Sequence, residues 1–197
     1  MAKGGTMRRG GRVSALVWVM ALASLAGCAQ MTQQTQQPTL NTPKVVYIAA
    51  SWAQSYRDVK SLKRDADIAV AGTIASMAGT SGDAVGVVAT DFVFSISRAI
   101  YNPHGQTLGA TITLHQTGDT ISNTPYPYEM EDDPLFQPGE QLVLFLHEYS
   151  AGHYYVIGGP TGRFEVRSGV VLPATGAGVQ LAPSTSLDAF VTMIQQA

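Results

Sequence analysis

From Asp67 to Val171 the apolar residues recur at every second position, in short runs divided by Gly, Pro, Asn and Ser. That period sends alternate side chains to opposite faces of a strand, so each run needs cover on at least one face. In "DIAVAGTIAS" Ile68, Val70, Gly72 and Ile74 alternate with small or polar residues. In "TDFVFSISRAIY" Phe92, Phe94, Ile96 and Ile100 share a side, with Arg98 interrupting. In "GATITLHQTG" Ala110, Ile112 and Leu114 face one way and Thr111, Thr113 and His115 the other. "EQLVLFLHEY" differs, because Leu142 to Leu146 is apolar on both faces, the mark of a central strand. "HYYVIGG" and "GRFEVRSGVV" follow. Turn signals separate the runs: Gly79 to Asp83, Asn102 to Gly105, Ser150 to Gly152 and Gly159 to Gly162. Short strands punctuated in this way predict an antiparallel sheet that closes as a barrel or sandwich.

Two helices are expected beside the strands. Trp52, Tyr56, Val59, Leu62 and Ala66 are spaced by three and four, one face of a helix over 51–64. At the other end, Leu187, Phe190, Val191 and Ile194 form an apolar stripe, and Thr185 with Asp188 has the spacing of a capping box. Val45 to Ala49 is a short apolar run that reads as a strand or as the lead into the helix.

The first residues are of another kind. Lys3, Arg8, Arg9 and Arg12 form a basic head without an acid, followed by fifteen uncharged residues from Val13 to Gly27. A spanning helix needs ~20 apolar residues, so this run fits a secretory signal better. It ends at Leu25, Ala26, Gly27 and Cys28, which resembles the lipobox of bacterial lipoproteins. The resemblance implies cleavage before Cys28, a diacylglycerol on its thiol and an acylated amino terminus. With Ala29 rather than Asp after the cysteine, it also implies the outer membrane, facing the periplasm, in a Gram-negative cell. Cys28 is the only cysteine, so the fold has no disulfide to rely on.

Residues 1–27 are thus read as signal peptide. Residues 28–44 are a lipidated cysteine and a Gln/Thr-rich linker with no apolar period, and 45–197 are a single β-rich domain. Losing four of the 12 basic residues and none of the 14 acidic ones changes the net charge from −2 to −6. No cationic stripe follows, which argues against nucleic acid as a partner. The expected partners are the membrane, through the lipid, and a protein or envelope component.

"KRDADIAVAGTIAS", "GEQLVLFLHEY" and "YYVIGGPTGRFEV" together resemble a loose group of uncharacterised bacterial exported proteins. They are also similar to the OB-type barrel of netrin-like domains and tissue inhibitors of metalloproteinases. The resemblance covers roughly 61–171. It implies a mainly β, α+β fold: a small antiparallel OB-like barrel with an N-terminal and a C-terminal flanking helix. Inhibition of a protease through a free N-terminal cysteine does not carry over, because Cys28 would be acylated.

No motif completes a catalytic set, and no cofactor is expected. "HEYSAGH" places His147 and His153 six apart, where a zinc-protease helix needs four, so these two are metal candidates only across a hairpin. Solvated turn histidines are the plainer account. "GGPTG" lacks the Lys and the following helix of a phosphate loop and reads as a tight turn. The candidate binding loop is "TPYPYEMEDDPLFQPGE", with Tyr126, Tyr128 and Phe136 as anchors and Glu129, Glu131, Asp132 and Asp133 as a carboxylate cluster. Clustered carboxylates also suit hard cations, although the spacing matches no calcium loop. The expected function is a non-catalytic binding module on a lipid anchor. The competing class is an envelope hydrolase or metal-dependent enzyme whose groups meet only in the fold.

Overall fold

Leu142 to Leu146 organises the molecule as its two apolar faces require. Leu142, Leu144 and Leu146 point into one core and Val143 and Phe145 into another, and all five are solvent-free. The structure is a computed structural model that describes residues 44–82, 87–120 and 127–197. The lipobox residues Leu25, Ala26, Gly27 and Cys28, and Tyr126 of the candidate loop, lie outside the described residues.

The elements in chain order are β1 (Val46–Ile48), α1 (Val59–Asp65), β2 (Ile68–Gly82), β3 (Val88–Tyr101), β4 (Thr111–Thr117), β5 (Tyr128–Met130), β6 (Gln141–Ser150), β7 (His153–Val156), a 3-10 turn (Gly159–Gly162), β8 (Arg163–Arg167), β9 (Val170–Pro173) and α2 (Leu187–Gln196). The main sheet runs β2-β3-β4-β7-β6, and β6 pairs back with β2, closing a barrel. The pairs are antiparallel except β4 with β7, which run parallel through Thr113 with His153 and Leu114 with Tyr154. The fold is therefore mainly β and OB-like, with two helices outside the barrel. On one edge of β6, β7 takes the C-terminal half and the β8–β9 hairpin the N-terminal half.

Closure puts two cores back to back. Ile68, Val70 and Ile74 of β2 face the barrel interior with Phe92, Phe94, Ile112 and Leu114. Ala69 and Ala71, on the other face of β2, meet Leu62 of α1 and Phe190, Val191 and Ile194 of α2. The alternation read from the sequence is correct, and β2 is covered on both sides. Its register shifts four times against β3, and such irregularities bend a long strand around a small barrel. Gly72 stands at one of them. A Cβ there would lie 2.1 Å from the Ser95 carbonyl oxygen and 2.8 Å from the Phe94 ring, so glycine alone fits.

Three local expectations need correction. The first helix covers Val59–Asp65, not 51–64. Asp58 caps it by accepting from Ser61 N at 2.8 Å, while the Tyr56 N–H donates to Thr161 Oγ1 and is lost to any helix. The second helix is capped by Ser186, whose Oγ accepts from Ala189 N. Thr185 instead donates its hydroxyl to the Ala182 carbonyl. Tyr128–Met130, expected as loop, is a strand parallel to β1. Arg98, which interrupts β3, reaches Asp188 of α2 at 3.0 Å across the surface.

Gly72→Ala should destabilise the domain by about 1–3 kcal/mol in denaturant unfolding, since the new methyl meets backbone that cannot retreat. Gly82→Ala on the same strand, where the added carbon finds only an ordinary contact at 3.9 Å, should cost far less.

Candidate functional site

The acidic loop is tied down residue by residue. The Tyr128 hydroxyl accepts from Val88 N at 2.9 Å and donates to Val88 O at 2.6 Å. Glu129 accepts from Leu135 N at 2.6 Å. Phe136, only 2% exposed, lies edge-on to Phe92 at 5.5 Å inside the barrel, with Leu135 beside it. Phe136 and Leu135 thus anchor the loop from inside, completing the core rather than facing outward. Glu131 is exposed, and its backbone N–H donates to Ile48 O. Its four acids do not converge on a point. Among the described residues no group of three or more His, Cys, Asp or Glu is placed to hold a metal ion.

Arg163, at the start of β8, fastens this loop. Its guanidinium is buried, donates to Pro134 O at 2.7 Å and to both Glu140 oxygens at 3.0 and 3.2 Å, and lies 3.5 Å from Asp133. It also covers the Phe136 ring at 4.4 Å. Burial pushes the Asp133 carboxyl up from its ordinary range, and the Arg163 charge opposes that shift only in part. Gln116 of β4 completes the clasp, donating to the carbonyls of Asp133 and Pro134 and accepting from Phe136 N.

What the loop presents outward is Asp132, which accepts from the Trp52 indole Nε1 at 2.8 Å. Trp52 and Tyr56, read from sequence as a helix face, instead lie flat on two glycines after β7. A Cβ on Gly159 would fall 2.5 Å from the Trp52 ring, and one on Gly158 would fall 2.6 Å from the Tyr56 ring. Both glycines have φ near +60°, so no other residue suits either the conformation or the contact.

Trp52 thereby forms the wall of a groove on the outer face of β4, β7 and β6. On one side of it a cavity of 290 Å³ is lined by His115, Tyr149, Tyr155 and Val156 among others. On the other side a wider one of 780 Å³ is lined by His147, Tyr155, Tyr56, Arg64 and Asp65. Trp52, Tyr155, Val156 and Gly159 line both. Tyr149 and Tyr155, with ring centroids 6.4 Å apart, are 49% and 41% exposed, so two neighbouring rings stand open to solvent.

Each imidazole in this groove is oriented by a carboxylate. His115 Nδ1 bonds Asp91 at 2.7 Å, and His147 Nδ1 bonds Asp67 at 2.9 Å. The strand register puts Tyr155, not His153, opposite His147, so the two metal candidates do not face each other. His153 instead lies beside Tyr149, 6.0 Å between rings. Ser81 bonds the same Asp91 at 3.3 Å, which places the carboxylate between serine and imidazole. A hydrolytic triad needs the imidazole in the middle, so these three cannot activate the serine.

The groove residues were partly legible. His147 and Tyr149 on β6, and His153 and Tyr155 on β7, stand two apart on strands flanking a turn, so the period that found the core also marks them as one outward face. Trp52 carried no such signal, because its partners Asp132 and Gly159 are remote in sequence. Compared with known proteins, the chain matches no family model and no curated sequence.

Asp133 gives a pH-dependent prediction. A carboxyl raised above its unfolded value contributes stability below that value and loses it as pH rises through the folded one. Asp133→Asn should therefore gain stability relative to wild type as pH increases above the ordinary aspartate range, read by denaturant midpoints across pH. A constant difference between the two proteins would show that the carboxyl is not raised.

Proposed function

We propose that this chain is an exported lipoprotein, held at the bacterial envelope by a lipid on Cys28, whose barrel is a non-catalytic binding module for a protein or envelope component. The anchor rests on the sequence: a basic head, a short apolar run and Leu25-Ala26-Gly27-Cys28. Two acyl-type attachments make such anchoring durable where one chain is marginal. No helix among the described residues is long and apolar enough to cross a membrane.

The observation that carries the binding reading is the aromatic groove. Trp52, Tyr149 and Tyr155 stay accessible while Arg163, Asp132, Gly158 and Gly159 fix their surroundings. Rigid aromatics held open to solvent favour association, since little side-chain freedom is left to lose. The groups beside them orient one another without forming a nucleophile–base pair, which favours binding over hydrolysis.

Labelling with an alkyne fatty acid should mark the wild type and not Cys28→Ala, and the variant should leave the membrane fraction. An unlabelled wild type or an uncleaved leader would refute the anchor. For the module, crosslinked pull-down from envelopes should recover fewer partners with the Tyr149→Ala/Tyr155→Ala double variant than with wild type. Equal recovery would refute the groove as the binding surface.

A further inference from the structure

We infer that the groove docks a basic, arginine-rich peptide segment of a partner, an assignment that rests on reading the barrel as a binding module. The acids around the groove set the sign of its charge. Asp133 lines the smaller cavity, and Arg64 and Asp65 line the wider one. Directly behind the lining stand Asp91, bonded to His115, Asp67, bonded to His147, and Asp132, bonded to Trp52. A neutral imidazole or indole orients a carboxylate and leaves its charge in place. Among the described residues, two cations line the groove or bond to its lining. Arg64 pairs with Asp65 at 2.7 Å, and buried Arg163 lies 3.0 Å from Glu140 against 3.5 Å from Asp133. Asp67, Asp91, Asp132 and Asp133 are the carboxylates left over. Protonating His115 and His147 cancels two of them, and protonating Asp133 as well still leaves one. The groove is therefore negative in either state of its two imidazoles, and it attracts a cationic ligand while repelling a phosphorylated or sulfated one.

Three rings give the cation its seat. Trp52, Tyr149 and Tyr155 line the smaller cavity of 290 Å³ together with Asp133. A cation over an aromatic face is attracted by the ring quadrupole. The guanidinium, planar and weakly hydrated, stacks there better than an ammonium. The negative field reaches these rings: partial burial first, and the Asp91 charge second, push the Tyr149 hydroxyl above its ordinary range. Asp133 is buried, and that burial raises its carboxyl because Arg163 compensates it only in part. A guanidinium entering the smaller cavity would supply the missing share. The acids are also divided along the groove. Asp133 and the Asp91–His115 pair belong to the smaller cavity, and the Asp67–His147 pair to the wider one of 780 Å³. Trp52 and Tyr155 line both. That spread suits several side chains of an extended segment better than a single ammonium headgroup. A metal ion fits poorly, since among the described residues no three His, Cys, Asp or Glu are placed to hold one.

The test is calorimetric titration of the full chain in detergent with octa-arginine, octalysine, octaglutamate and phosphocholine. Octa-arginine should bind saturably and more tightly than octalysine, and octaglutamate should not bind. Tyr149→Ala and Tyr155→Ala should each weaken octa-arginine by roughly three- to tenfold, with thermal midpoints unchanged, the loss of one cation–π contact. Tyr155→Phe, which keeps the ring, should bind as wild type does. The Asp67→Asn/Asp91→Asn double variant keeps an acceptor oxygen for each imidazole and removes two charges. It should bind octa-arginine more weakly and with less sensitivity to salt. The inference is overturned if octa-arginine does not saturate at millimolar concentration, if octalysine matches it, or if octaglutamate or phosphocholine binds as tightly. It is also overturned if both alanine variants bind as wild type does, since attraction to an acidic domain at large needs no rings. Should the envelope pull-down still depend on the two tyrosines in those cases, only the basic-segment assignment falls. Should it not, the binding-module reading falls with it.

Discussion

A single buried guanidinium holds the two halves of this structure together. Arg163 belongs to a strand outside the barrel proper, yet it gathers Asp133, the Pro134 carbonyl and Glu140 from one loop and covers the ring of Phe136. Removing a charge from water costs several kcal/mol, and only a well-partnered site offsets it. Here the partners of its two terminal nitrogens sit in one short segment, so bonding them also fixes that segment's path, while the buried Nε has no partner among the described residues. With the path fixed, Leu135 and Phe136 enter the barrel and Asp132 turns outward to meet Trp52. The interior core and the outer groove thus hang on the same contact.

The groove shows a division of labour between backbone and side chain. Gly158 and Gly159 provide flat backbone on which two aromatic rings rest, while the strands β6 and β7 hold Tyr149 and Tyr155 upright. The carboxylates act sideways, each spent on orienting an imidazole or an indole. The rings of the groove are thus each backed by an acid of this acidic domain: Asp91 behind His115, Asp67 behind His147 and Asp132 behind Trp52.

Elements governed by local periodicity were the legible ones. The barrel strands, the two-faced Leu142 to Leu146 and the docking stripe of α2 all follow from alternation or helical spacing. The first helix was overextended because Trp52 and Tyr56 fit a helical spacing by coincidence. Their real partners, Gly159, Gly158 and Thr161, are about a hundred residues away. The acidic loop misled for a related reason. Crowded carboxylates in sequence suggest a shared ligand, but Asp132 and Asp133 point to distant and different partners, Trp52 and Arg163, while Glu129 turns back to Leu135 within the loop. The Asp91–His115 pair was hidden because strand register, not spacing, brings it together.

Barrel closure carries a consequence in time. β2 is nearly the first element of the domain, and the strand that seals it, β6, comes some seventy residues later. Until β6 is available, Ile68, Val70 and Ile74 have nothing to finish their enclosure, and the two helices lack the sheet they pack on. Contacts this distant in sequence carry a large loop-closure entropy and form slowly. A nascent chain that ends before β6 cannot close the barrel, so closure waits until most of the domain's length has emerged.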